Sequence, residues 1–88
     1  MVGRLEGKVC IITGASRGMG EATARLFASE GAIVALGDVM VSEGTAVAKD
    51  IGNNAFFQKL DVSDDKNWKD FVLGVISKVG TIDVLINN

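Results

Sequence analysis

The chain has 88 residues, 48% hydrophobic and 23% charged, with a formal net charge of −2 and a single cysteine. This balance describes one globular domain near the lower size limit for a self-sufficient core, and it excludes a disordered polymer. The weak acidity without basic clusters argues against a nucleic-acid partner, and one cysteine with no histidine leaves neither an intrachain disulfide nor a Cys/His metal spacing.

Met1 to Lys8 lacks the apolar stretch of a signal peptide, and no run reaches the roughly 18 apolar residues of a spanning helix, so a cytoplasmic, membrane-free protein is expected. Lys8 to Thr13 reads as a buried strand, apolar on both faces, with Cys10 as a small core residue. A helix is expected from Gly18 to about Glu30, where Met19, Ala22, Leu26 and Phe27 recur at helical spacing and Gly31 suits the C-terminal cap. Ala32 to Gly37 is a second buried strand ending at Asp38. Ser42 is expected to cap a second helix carrying Val47, Ala48 and Ile51 on one face and stopped by Gly52. Ala55 to Leu60 mixes Phe56 and Phe57 with Gln58 and Lys59, as an edge strand would.

The strongest periodicity runs from Asp64 to Val79, where Trp68, Phe71, Val72, Val75, Ile76 and Val79 form a core-facing stripe, with Ser63 or Asp64 as cap and Gly80 as stop. Ile82 to Ile86 is the fourth strand. This β-α-β-α-β-α-β order predicts an α/β fold: a parallel sheet in the order 3-2-1-4 between helical layers. The first and fourth strands flank the point where strand order reverses.

Candidate binding residues gather at the ends of these strands. Thr13-Gly14-Ala15-Ser16-Arg17-Gly18-Met19-Gly20 follows the first strand directly and opens the first helix. A glycine-rich turn there lets amide N–H groups and the positive end of a helix dipole meet a pyrophosphate. Gly14 permits the tight turn, Gly18 lets the phosphates approach the backbone, and Gly20 lets the helix lie close to the sheet. The spacing is Gly-x-x-x-Gly-x-Gly and not the commoner Gly-x-Gly-x-x-Gly; alone, three glycines also fit an ordinary turn. Asp38 stands 18 residues after Gly20 at the end of the second strand, where a carboxylate accepts hydrogen bonds from both hydroxyls of an adenosine ribose. The same charge repels a 2′-phosphate, and Val39 offers nothing to offset it, so NAD is expected over NADP. Arg17 is the counter-argument, and a cap for the next helix is the other reading of Asp38. Asp61 and Val62, after the third strand, offer a carboxylate and an apolar neighbour for adenine; Asp61 equally fits a residue that starts the next helix.

These residues resemble the short-chain dehydrogenase/reductase family along the whole chain. The likeness is carried by Thr13 to Gly20, Asp38, Leu60-Asp61-Val62 and Ile82-Asp83-Val84-Leu85-Ile86-Asn87-Asn88. It implies a Rossmann-like three-layer αβα fold, with residues 1–88 as the N-terminal part of an NAD(P)-binding domain. By position, Gly14, Ser16, Arg17, Gly18, Met19, Gly20, Asp38, Asp61, Val62 and Asn88 become the expected cofactor-binding set. The stretch from Gly37 to Leu60 is similar to NAD-dependent hydroxysteroid and secondary-alcohol dehydrogenases, which implies an oxidoreductase acting on a secondary alcohol or ketone. Family members use a serine and a Tyr-x-x-x-Lys pair beyond an Asn-Asn-Ala-Gly motif, in which the tyrosine moves the hydroxyl proton. The sequence holds no tyrosine and stops within that motif, so a fragment with a partial sheet, inactive alone, is expected. A stand-alone nucleotide-binding module and an inactive truncated product are the alternatives. The bare edge of the fourth strand is expected to favour self-association.

Overall fold

A computed structural model describes residues 3–88. The elements follow in the order β1 (Val9–Thr13), α1 (Gly18–Ser29), β2 (Ile33–Asp38), α2 (Val41–Ile51), β3 (Ala55–Lys59), α3 (Asp65–Val79) and β4 (Val84–Ile86). All pairings are parallel and the sheet order is β3-β2-β1-β4, as expected from the sequence, with β3 at one edge and β4 at the other. β1 is buried throughout, and alternate residues of the central strands serve opposite faces. Cys10, Ile12, Val34 and Leu36 pack with Ala24, Val47 and Ala48 beneath α1 and α2. Val9, Ile11 and Ala35 pack with Leu60, Phe71 and Val75 beneath α3. The result is the three-layer αβα architecture. Among the described residues, no helix is long and apolar enough to cross a membrane.

Three local expectations differ from the structure. Met40, not Ser42, precedes the first turn of α2, and its side chain makes no capping bond. The Asp38 carboxylate accepts the Met40 N–H (3.2 Å) and the Met40 carbonyl accepts the Gly44 N–H (2.9 Å), so the helix begins ahead of the serine. β4 begins at Val84 rather than Ile82. There Asp83 donates its N–H to the Val9 carbonyl (2.8 Å) while its carboxylate accepts the Val9 N–H (2.9 Å), which replaces a ladder pair by a side-chain bond. In α1, Met19 (78% exposed) and Leu26 (57%) face outward, and the buried positions are Gly20 and Ala24. Near Gly20 the helix lies so close to the sheet that its contact face takes small residues, while Phe27 packs against the same core farther along. The α3 stripe holds at Phe71 and Val75, while Ile76 at its margin stays exposed. Of the two expected caps of α3, Asp64 is the one used; it accepts the Lys66 and Asn67 N–H groups. Gly80 closes that helix in the left-handed region at φ 87°.

Candidate functional site

The pairing register brings the carboxyl ends of all the strands to one edge of the sheet. Thr13 is level with Gly37, Ile12 with Ile86, and Asp38 with Lys59. β1 and β4 flank the point where the strand order reverses, and the crevice of the sheet lies at this level. A cleft of about 250 Å³ lies there, lined by Thr13, Gly14, Gly37, Asp38, Val39, Leu60, Asp61, Val62 and Asn88. A smaller cleft of about 140 Å³ adjoins at Val62, between Asp65, Trp68 and Asn87.

The loop from Gly14 to Gly20 forms the rim. Gly14 and Gly18 take φ of 60° and 62°, a conformation that a side chain resists. A Cβ on Gly18 would point into open space, so room is left above the backbone for a ligand. A Cβ on Gly20 would collide with the Gly14 carbonyl, so only glycine lets α1 start this close to β1. Arg17 precedes α1 in extended backbone and makes no capping bond, so the first-turn N–H groups lack a side-chain partner. An uncapped helix N-terminus behind a left-handed glycine is an anion-binding arrangement.

Of the residues expected from the sequence, Gly14, Asp38, Asp61, Val62 and Asn88 line the cleft. Arg17, Gly18 and Met19 are exposed above it, and Gly20 and Ser16 are buried behind the loop. The Asp38 Oδ2 accepts the Ser16 N–H (3.1 Å) while its Oδ1 accepts that of Met40. Asp38 therefore ties the start of α2 and also joins that loop to the glycine turn. Desolvation, the largest single influence, pushes its carboxyl up. The Met40 and Ser16 amides that donate to it, with the Ser16 hydroxyl and the Val39 amide close by, together outweigh it and hold the carboxyl below its usual value.

Since the folded value lies below the unfolded one, Asp38 stabilises the fold fully above about pH 4 and loses this contribution as pH falls through its lower folded value. Asp38→Asn is expected to flatten the acid limb of the stability curve. Urea unfolding between about pH 2 and pH 7 measures this.

Asp61 spends one carboxylate oxygen on the Ser63 N–H (3.0 Å) and the Ser63 hydroxyl (2.6 Å), which shapes the turn before α3. The Ser63 hydroxyl, its amide and nearby Lys59 hold the Asp61 carboxyl below its usual range, with a smaller opposing push from desolvation. Asp61 thus starts the helix turn and also lines the cleft. At the far wall, Asn88 donates its N–H to Thr13 Oγ1 (2.9 Å), and Thr13 Oγ1 donates to Asn87 Oδ1 (3.1 Å). Thr13, only 1% exposed, latches the end of β4 to the end of β1. Thr13 is not in the expected cofactor-binding set; its signal in the sequence is a hydroxyl closing an apolar strand just before the glycines.

The sequence profile of the short chain dehydrogenase family matches residues 8–88. The 3-alpha-(or 20-beta)-hydroxysteroid dehydrogenase of Mycobacterium tuberculosis is 40% identical over 88 residues, spanning 100% of this chain and 34% of the relative. The crystal structure of a 3-ketoacyl-(acyl-carrier-protein) reductase from Brucella melitensis, complexed with NADH, superposes with a TM-score of 0.90 at 40% identity, covering 92% of this chain and 33% of that one. A hydroxysteroid dehydrogenase from Escherichia coli superposes at 0.91 with 35% identity, over 97% of this chain and 37% of that one. The chain thus spans about a third of the length of these relatives.

Proposed function

The chain belongs to the short-chain dehydrogenase family, and from that membership we propose that its cleft takes the adenosine and pyrophosphate of a nicotinamide dinucleotide, NAD in preference to NADP. The observation that carries this reading is Asp38, a partly buried carboxylate at the end of β2 that lines the cleft beside Gly14. Two further features support it: the free space over Gly18 and the uncapped start of α1. Gly14, Gly18 and the first turn of α1 would hold the pyrophosphate, with Arg17 and Met19 beside it. Asp38 would accept the ribose hydroxyls, and Asp61, Val62 and Asn88 would border the adenine. When bound, the nicotinamide supplies the hydride-exchanging group. The residues of this chain bind and orient the other end of the molecule.

The activity proposed for the whole protein is oxidoreduction of a secondary alcohol or ketone. Hydroxysteroid and acyl-carrier-protein relatives match at the same 40% identity, so the likeness of residues 37–60 to hydroxysteroid enzymes does not select a substrate within that class.

Charge-assisted hydrogen bonds at Asp38 are worth about 1.5–3 kcal/mol, or roughly ten- to a hundredfold in affinity. Titration of the chain with NAD and NADP, followed by the fluorescence of its single tryptophan, Trp68, beside Val62, tests the reading. NAD is expected to bind weakly but more tightly than NADP. Asp38→Ala combined with Val39→Arg is expected to reverse the order. Absence of any binding at millimolar NAD would overturn the proposal.

A further inference from the structure

Ser16 follows the first two residues of the glycine turn and is only 4% exposed. Its N–H donates to Asp38 Oδ2 (3.1 Å) and its hydroxyl donates to the Met40 carbonyl oxygen (3.2 Å). Met40 in turn donates its N–H to Asp38 Oδ1 (3.2 Å). The three bonds close a ring, Ser16 to Asp38 to Met40 and back to Ser16, which joins the loop after β1 to the loop after β2. A phosphate oxygen needs a donor, and both donors of Ser16 are spent inside this ring. The surroundings are tight as well: a Cβ placed on Gly44, in the first turn of α2, would come within 2.9 Å of the Ser16 hydroxyl oxygen.

We infer that Ser16 is a positioning residue for nucleotide discrimination: it acts through the ring to set the plane of the Asp38 carboxylate toward the cleft. Each Asp38 oxygen accepts one backbone amide, and those two bonds orient its remaining lone pairs. The Ser16 hydroxyl holds the Met40 peptide, and with it the amide that pins Oδ1. Loss of the hydroxyl frees the carboxylate to rotate. A rotated carboxylate gives up the ribose hydroxyls but still faces the cleft with its charge. This inference rests on the reading of Asp38 as the ribose acceptor.

The test is a cycle of four proteins, wild type, Ser16→Ala, Asp38→Asn and the double variant, each titrated with NAD and NADP and each checked by circular dichroism. Ser16→Ala is expected to weaken NAD by about three- to tenfold, the effect of one neutral hydrogen bond, with little change for NADP. Ser16→Thr, which keeps the hydroxyl, is expected to recover most of the preference. In the Asp38→Asn background, Ser16→Ala is expected to change the NAD-to-NADP ratio no further. Should Ser16→Ala fail to fold, Ser16→Cys keeps the volume, weakens the donor and carries the same expectation. An equal loss for both dinucleotides, an unchanged ratio, or a full additional effect in the Asp38→Asn background overturns the inference. If wild type prefers NAD and Asp38→Asn abolishes that preference while Ser16→Ala keeps it, the role of Asp38 stands and that of Ser16 alone falls. If wild type binds no NAD, or Asp38→Asn leaves the ratio intact, the reading of Asp38 falls and the inference with it.

Discussion

Phe71→Ala is expected to leave the chain largely unfolded at room temperature. The Phe71 ring is 0% exposed and packs with Val9, Ile11, Ala35, Leu60 and Val75 as the centre of the α3 face of the sheet. Trp68 stacks against it with ring centroids 6.1 Å apart and planes 13° from parallel. The strand beneath makes room for it: a Cβ on Gly37 would lie 3.1 Å from the ring edge. Emptying such a site costs about 3–5 kcal/mol. A chain of this length has a total stability of about 4–13 kcal/mol, and one with a core this small belongs in the lower part of that range. The loss therefore consumes most of what holds the fold. Thermal unfolding by circular dichroism should show Tm falling by at least about 12 °C, or no cooperative transition. A fall of less than about 5 °C would mean that Leu60 and Trp68 close over the vacated space. Leu60 also lines the cleft, so the variant is expected to lose dinucleotide binding together with the fold.

Gly20→Ala is expected to abolish dinucleotide binding at a smaller cost in stability. The added methyl would meet the carbonyl carbon and oxygen of Gly14, which are backbone atoms and cannot swing aside, and would sit 2.8 Å from the Asn88 amide nitrogen. The start of α1 must lift away from the end of β1, at roughly 1–3 kcal/mol of overpacking, of which about 1 kcal/mol returns as better helix propensity. The net loss corresponds to a fall in Tm of up to about 15 °C. Binding suffers more, because the N–H groups of the first turn move with the helix. Calorimetric titration is expected to show no heat with NAD at millimolar concentration. Affinity equal to wild type would mean that the contact between α1 and Gly14 does not shape the phosphate site.

The elements were legible because their signals are local. The central strands are short apolar runs buried on both sides, and each is bounded by glycine or a charge. The stripe of α3 repeats over several turns, so its misplacement at Ile76 alone left the element intact. Boundaries shifted where a side chain, distant or near in sequence, claimed a backbone N–H. β4 starts late because Asp83 reaches Val9, 74 positions away. α2 starts early because Asp38 claims the Met40 amide, and the Ser42 hydroxyl, a good cap by composition, lies one residue inside the helix. α1 turned its small residues to the sheet because Gly20 brings it against Gly14, a proximity that hydrophobic spacing does not encode.

The candidate site divides in the same way. Composition and spacing by themselves determined the α/β order, the glycine turn before a helix and the acid after the second strand, since each is a consequence of residue type within one segment. The tertiary structure alone decided that Asp38 binds the Ser16 amide 22 residues away, that the Ser16 hydroxyl faces Met40 and not the cleft, and that Thr13 holds Asn88 across 75 residues. The physical reason is that a donor has one proton to give. Which acceptor receives it depends on what the parallel register brings within 3 Å or so, and that is settled only when the strands have paired.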